Sequence, residues 1–298
     1  MRILACPGQG SQRAGFLQSW LQELPRLDET LKDFSTIVGL DLVKLGTEAD
    51  DELLRNTEIA QPLIVASSIA IARNLPSGLG SFEGVVGHSV GEFAAAAIAG
   101  IISDTDAIRL VTIRGRAMAR ASESPLTGMI AVLGGQEGEI LALAEDLEIE
   151  LANHNGPGQM VLAGRIEALE SFQQAPPPGA RVMPLKVSGA FHTKFMSAAV
   201  AELRAHADQV AVSDPQLRIW SNQSGQLVSS GKEFVGLMID QIANSVRWDR
   251  CLVSISSATA FVELPPAGVL SGIAKRQLPN AMVTALKSPE DLEELKSA

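Results

Sequence analysis

Cysteine is scarce in this chain, with only Cys6 and Cys251 among 298 residues. Such a pair implies no disulfide framework, and a reducing cytoplasm is the expected compartment. Positive charge is also in deficit. The 24 Lys and Arg against 34 Asp and Glu leave a formal net charge of −10. Non-specific nucleic-acid binding needs basic surface, so nucleic acid is not an expected partner. Long apolar runs are missing as well. The longest, Phe93 to Ile102, is about half of what a bilayer span requires and reads as a buried helix, so no membrane association is expected. Met1-Arg2-Ile3-Leu4-Ala5 runs straight into a strand-like segment without a signal-peptide pattern. The four histidines, at 88, 154, 192 and 206, lie far apart with no CxxC or HExxH near them, and no metal site is expected. Internal repeats and low-complexity segments are absent.

The sequence does contain enough apolar residues for a sizeable core: 46% apolar and 19% charged is an ordinary globular balance. Arg2 to Cys6 reads as a short buried strand that ends in the glycine-rich loop Pro7-Gly8-Gln9-Gly10-Ser11-Gln12. A mostly helical region follows to about Asn74, with Pro62 suited to the first turn of a helix over Leu63 to Arg73. Gly84 to Val86 reads as a strand, Glu92 to Gly100 as a packed helix, and Ser103 or Asp104 as the cap of the next helix. From Thr127 the pattern changes. Strands at Met129 to Leu133, Glu150 to Ala152, Met160 to Ala163 and Arg181 to Val187 alternate with helices at Gly138 to Asp146 and Ile166 to Gln173. This βαββαβ order is the ferredoxin-like arrangement, inserted in a larger domain. A charged helix over Pro289 to Lys296 closes the chain.

Gly87-His88-Ser89-Val90-Gly91 fits G-x-S-x-G between a strand and a helix. A serine on such a sharp turn is held in strained geometry with its hydroxyl above the sheet edge, and the flanking glycines remove side chains that would clash. The first N–H groups of the following helix, that of Val90 foremost, then face a developing oxyanion. The bare five-residue pattern also describes a tight turn with a capping serine, and the strand–helix context favours the nucleophile. Serine needs a base, and His192 is the candidate. Spacing alone favours a structural reading of His192 over a catalytic one, because a lone histidine is more often structural. The loop Gly8 to Gly10 lacks the spacing of a P-loop or dinucleotide fingerprint.

The motifs taken together resemble the malonyl-CoA:acyl carrier protein transacylases and the polyketide acyltransferase domains. Gly87 to Glu92 is similar to their GHSxGE signature and Gly8 to Gln12 to their GQGSQ loop. Met160 to Gly164, preceded by Asn153, Asn155 and Gln159, resembles ANxNxPxQxVxAG, and Ser188 to Thr193 resembles SGAFHT. The likeness extends from residue 3 to about 285. It implies an α/β chain: an α/β-hydrolase-like core with a parallel sheet (1–125 and 189–298) and an inserted ferredoxin-like subdomain (126–188).

The resemblance also implies roles. Ser89 and His192 form a dyad, the imidazole being held by a backbone carbonyl of Val246-Arg247-Trp248, assigned to Arg247. His88 is an orienting or packing residue. Arg114, in Arg114-Gly115-Arg116-Ala117-Met118, pairs with the malonyl carboxylate, which a guanidinium fork can do bidentately. Arg116 and Arg109 keep the reading of solvated charges. Gln9 supplies a second oxyanion N–H, and Gln61 is a pocket-lining candidate. Phe191 and Val90 bear on malonyl over methylmalonyl selectivity, a difference of one methyl worth about 10- to 200-fold; Phe191 also reads as a plain core aromatic.

The implied reaction is ping-pong transfer from malonyl-CoA to the phosphopantetheine thiol of acyl carrier protein, supplying fatty-acid synthesis. No bound cofactor is implied, coenzyme A and phosphopantetheine being substrate carriers. Polyketide or malonate decarboxylase transferases, a thioester serine hydrolase and a non-catalytic carrier-binding subunit remain alternatives. Two departures stand out. Cys6 replaces a larger apolar residue, and Glu263-Leu264-Pro265-Pro266-Ala267-Gly268 replaces an E-x-G-P-G turn. Lys194, Lys275 and Arg276 could form a basic patch for an acidic carrier, or be ordinary solvated charges.

Overall fold

A computed structural model describes residues 1–76, 81–187 and 189–296. Strand β1 (Arg2–Cys6) leads through helices α1 (Gln18–Glu23), α2 (Leu27–Val38), α3 (Leu42–Glu48) and α4 (Thr57–Asn74) to β2 (Gly84–Gly87). Helices α5 (Gly91–Ile98) and α6 (Asp104–Ala121) follow. Then come β3 (Thr127–Gly134), α7 (Glu137–Asp146), β4 (Glu150–His154), β5 (Gln159–Arg165), α8 (Ile166–Gln174) and β6 (Ala180–Pro184). The chain continues with α9 (Ser197–Ala207), β7 (Arg218–Trp220), β8 (Leu227–Val228), α10 (Gly231–Asp240) and α11 (Trp248–Ser254). It finishes with β9 (Ala260–Glu263), α12 (Val269–Gln277), β10 (Met282–Ala285) and α13 (Leu292–Lys296).

Among the described residues, six strands form one sheet in the order β10-β9-β1-β2-β7-β8, parallel except for the β7–β8 pair. Its central strands read as continuous apolar runs because helices cover both faces. Ile3, Ala5 and Val86 pack with Trp248 and Leu270 on one side, and Leu4, Cys6 and Val85 with α4 and α5 residues on the other. Cys6 is a fully buried filler in the second of these layers. A second, antiparallel sheet in the order β4-β5-β3-β6 carries α7 and α8 and has its own core around Ile130, Leu162 and Phe172. Its strands and helices occupy 127–184, with the βαββαβ order and the strand order of a ferredoxin-like unit. Ser188, at the expected boundary, lies outside the described residues. Among those residues no helix is long and apolar enough to cross a membrane.

Three elements differ from the sequence reading. Helix α4 starts at Thr57, one turn and more before Pro62, because Asn56 caps it by accepting the Glu58 N–H at 2.9 Å. Pro62 is therefore inside the helix. Strand β6 stops at Pro184 rather than Val187, although Leu185 N–H still donates to the Met129 carbonyl at 2.9 Å. The final charged segment opens as a 3₁₀ turn over Pro289–Asp291, with α13 only from Leu292.

The two sheets meet along the V-x-W segment. Val246 N–H donates to Ala152 and its carbonyl accepts from His154, each at 2.9 Å, stitching β4 to the larger layer just before α11. A cleft of about 240 Å³ opens between the two parts.

Candidate active site

The floor of that cleft is the turn between β2 and α5. The turn is tight enough that a Cβ on Gly87 would lie 2.2 Å from the Gly91 carbonyl carbon. A Cβ on Gly91 would lie 2.3 Å from the Cys6 oxygen. Both contacts are backbone on backbone, so glycine is required on each side of Ser89. Ser89 itself has φ 53°, the left-handed region that a side chain disfavours. Asn222, just past β7, holds the turn in this shape. Its Oδ1 accepts the Ser89 N–H and its Nδ2 donates to the Gly87 carbonyl, both at 2.7 Å.

His192 reaches the turn from the chain that returns from the smaller sheet. It too is left-handed, with φ 63°, and its N–H donates to the Ile242 carbonyl at 3.1 Å. Its Nε2 lies 2.7 Å from Ser89 Oγ and its Nδ1 2.8 Å from the Gln241 carbonyl. A carbonyl can only accept, so Nδ1 carries the proton and Nε2 is left to accept the serine hydroxyl. Burial, and next the charge of Arg114, push the imidazole down to about 3. It is a neutral base over the whole ordinary pH range.

The orienting carbonyl is thus Gln241, not Arg247. The Arg247 carbonyl accepts from the Arg250 and Cys251 N–H groups as α11 begins, and its guanidinium pairs with Asp249 at 2.6 Å. Val246, next to it, is committed to the smaller sheet. The V-x-W segment is joinery between the two layers, and the carbonyl that holds the imidazole lies in the 3₁₀ turn after α10, where it also accepts the Asn244 N–H.

Arg114 projects from α6 and is 1% exposed. Its Nη2 donates to Ser89 Oγ and to Gln241 Oε1, each at 3.3 Å, and the guanidinium carbon lies 5.7 Å from the Phe93 ring centre. Its Nε has no partner among the described residues. Burial pulls it down to about 9, against the attraction of Glu92, so it stays protonated at neutral pH. An underused, buried guanidinium beside a nucleophile is a socket for an anion.

The other expected residues divide into two groups. Gln9, Gln61 and Phe191 line the cleft with Ser89, Arg114 and His192. Gln9 Nε2 donates to Thr57 at 3.2 Å, and Gln61 Nε2 points to Gln9 Oε1 at 3.4 Å, while Gln61 Oε1 is buried and unpartnered among the described residues. The Val90 side chain does not line the cleft but sits fully buried in the core. What Val90 offers the site is the main-chain N–H at the start of α5. His88 points away from Ser89, with Nε2 3.0 Å from Asn155 Oδ1 and its ring edge-on to Trp248. Lys194 is already paired with Glu150 at 3.1 Å, and Arg276 donates to Gln159.

Asn222, Gln241 and Glu92 did not emerge from the sequence as site residues. Glu92 is fully buried. Its Oε1 accepts the Asn222 N–H at 2.7 Å, and its Oε2 accepts from Gln241 Nε2. Burial drives this carboxyl up to about 8, opposed by those two donors and by Arg114. One signal was available: Glu92 is the first side chain of an otherwise apolar helix, where an unpaired charge would not be tolerated.

The acyl transferase domain family matches residues 4–290. The malonyl CoA-acyl carrier protein transacylase of Mycobacterium tuberculosis is 45% identical over 300 residues, covering 99% of each chain. The crystal structure of MCAT from Mycobacterium tuberculosis superposes with a TM-score of 0.94 at 45% identity, over 99% of both chains. A malonyl-transacylase solved in complex with a type II PKS acyl-carrier protein superposes at 0.92 with 28% identity, covering 99% of this chain and 98% of that one.

Proposed function

The chain belongs to the acyl transferase domain family, and from that premise and the cleft geometry we propose how it transfers a malonyl group from malonyl-CoA to acyl carrier protein, supplying fatty-acid synthesis. The observation that carries the mechanism is the position of Arg114, 3.3 Å from a serine hydroxyl that is itself 2.7 Å from a neutral histidine. An acyl group seated on Ser89 with a free carboxylate would find the guanidinium at once. An acetyl group would leave it unpaired.

His192 Nε2 takes the Ser89 proton as Oγ attacks the thioester carbonyl, and the Gln241 carbonyl steadies Nδ1–H as the imidazolium forms. The Val90 and Gln9 N–H groups hold the oxyanion. His192 then returns the proton to the departing coenzyme A sulfur, leaving malonyl-Ser89. The carrier's phosphopantetheine thiol enters the same cleft and the sequence runs in reverse. The malonyl carboxylate has a second effect. Paired with Arg114, it cancels the positive charge that depresses His192, so the correct acyl group strengthens the base that activates the nucleophile. This chemistry uses no metal and no resident cofactor, and the cytoplasm is where both carriers would be met.

The test is intact-mass analysis after incubation with malonyl-CoA and, separately, acetyl-CoA. A malonyl adduct on Ser89, absent in Ser89→Ala and reduced in Arg114→Ala, is expected, with transfer to carrier protein on its addition. Absence of any adduct would favour a non-catalytic carrier-binding subunit, steady release of malonate without a thiol acceptor would favour a hydrolase, and either would overturn the reading.

A further inference from the structure

Arg114 and Glu92 are both buried and do not touch, yet one side chain joins them. Gln241 presents its Oε1 to the guanidinium at 3.3 Å and its Nε2 to the carboxylate. The amide is oriented by both charges, so each feels the other through it. The titratable groups that face Glu92 from neighbouring elements are few. His192 and His88 are kept neutral by burial, and the Cys251 thiol on α11 is pushed up by burial and by Glu92 itself. Arg114 on α6 is the cation that opposes Glu92. Arg73 and Asp104 pair with each other beyond the far end of α5.

A malonyl carboxylate at Arg114 would therefore make a second claim on a guanidinium that already balances Glu92. Two carboxylates around one buried cation cannot both stay ionised without cost. We propose that Glu92 is a positioning residue whose charge sets the carboxylate selectivity of the site. Protonated, Glu92 leaves Arg114 free to take the acyl carboxylate; ionised, it competes for Arg114 through Gln241. The inference rests on the malonyl reading above. The burial that lifts Glu92 to about 8 means that the acid form predominates at neutral pH, where the enzyme would work. Binding and ionisation are linked, so preference for a carboxylate-bearing acyl group falls as pH rises through that titration.

The probe pair is malonyl-CoA and its half-amide, which has the same shape and leaving group but no charge. The ratio of their kcat/KM values for acyl-enzyme formation is measured from pH 6.5 to 9.5, so that thiol ionisation cancels. In the native enzyme the ratio should fall about tenfold between pH 7 and pH 9. In Glu92→Gln, neutral throughout, the fall between pH 7 and pH 8 should vanish, leaving only the decline toward pH 9 as Arg114 itself gives up its proton. A flat native ratio overturns the proposal. So does an equal fall in Glu92→Gln, which would assign the titration to Arg114 or another group. A purely structural role would lower both rates together and leave the ratio's pH profile unmoved. Should Glu92→Gln not fold, proton uptake by the native enzyme decides. A stoichiometric burst in weak buffer at pH 7.5, where Arg114 is still protonated and part of Glu92 is ionised, should take up protons with malonyl-CoA beyond the uptake with the half-amide, and equal uptake overturns the inference. Failure of the malonyl reading is separately visible as the absence of a malonyl adduct on Ser89 at pH 7.

Discussion

Ser89 and His192, 103 positions apart, meet at 2.7 Å with both backbones in the left-handed region. Each departs from the conformation its side chain prefers, at about 1–3 kcal/mol apiece, and the surrounding hydrogen bonds of Asn222 and Ile242 hold them there. The strain puts the hydroxyl and the imidazole on the same side of the cleft floor.

One consequence concerns stability. Both Ser89→Ala and Ser89→Gly remove the nucleophile, but only glycine relieves the φ of 53°. The relief of about 1–2 kcal/mol exceeds the entropic penalty of glycine, about 0.5–1 kcal/mol. Ser89→Gly should therefore melt above Ser89→Ala by a margin worth up to about 1 kcal/mol. A scan of Tm for the pair decides it, and a clearly more stable alanine variant would show that the turn is not strained.

The pH profile of malonyl loading should lack the usual histidine inflection. His192 is pushed down to about 3, so it is an unprotonated base at every pH above that value. The sign is that of a lowered base: activity is lost only as pH falls toward 3, not as it falls through 6.5. Rapid-quench loading rates with the neutral half-amide, between pH 4.5 and 7, should be level. A half-maximal rate near pH 6.5 would contradict the buried, Arg114-opposed imidazole. In His192→Ala the rate should drop about 10²- to 10⁴-fold at all these values.

Arg114 can be tested as an anion anchor by what its loss spares. Truncating one side of a buried ion pair costs about 3–5 kcal/mol, or roughly 150- to 4,000-fold. Arg114→Ala should lose this much in kcat/KM with malonyl-CoA and far less with the half-amide. Arg114→Lys keeps the charge but not the fork, and should recover only part of the loss. Equal losses on both substrates would mean that Arg114 holds up the site rather than reading the acyl group.

Of these three residues only Ser89 was legible from a local pattern, the five-residue elbow between strand and helix. The roles of His192 and Arg114 came with the family resemblance, because a lone histidine is more often structural and an arginine on a polar helix is more often a solvated charge. The four strands of the smaller sheet were legible from alternation and turn residues. What escaped was everything that depends on long-range contact. Gln241 lies in the plain run Met238-Ile239-Asp240-Gln241-Ile242, and its carbonyl matters only because the turn after α10 passes beneath His192. Arg247 was preferred on motif grounds, and only the β4 contact shows why that segment is occupied elsewhere. Asn222 stands 133 residues from the serine it positions. The E-L-P-P-A-G departure is milder than its sequence suggests. Glu263 is buried and accepts the N–H groups of Gly268, Leu270 and Ser271, so it caps α12 whatever the prolines between them do.

Selectivity among substituted malonyl groups should rest on Phe191 rather than Val90. Both residues adjoin the dyad in sequence, but the Val90 side chain is turned into the core whereas the Phe191 ring lines the cleft beside Ser89 and Arg114. The ring is 6% exposed, so nearly all of its surface is already against its neighbours and it has little room to retreat from an extra methyl. Phe191→Ala opens that space without touching a hydrogen bond of the dyad. The preference for malonyl-CoA over methylmalonyl-CoA should then shrink by about 10- to 200-fold, the worth of one methyl against a filled pocket. Valine-to-alanine exchange at position 90 should leave the preference in place while lowering stability by about 1–3 kcal/mol through the cavity it creates. Competition between the two thioesters, read as the ratio of adduct masses on Ser89, separates these outcomes. A preference unchanged in Phe191→Ala would move the discrimination to Met118 and Gln61, on the α6 and α4 walls of the same cleft.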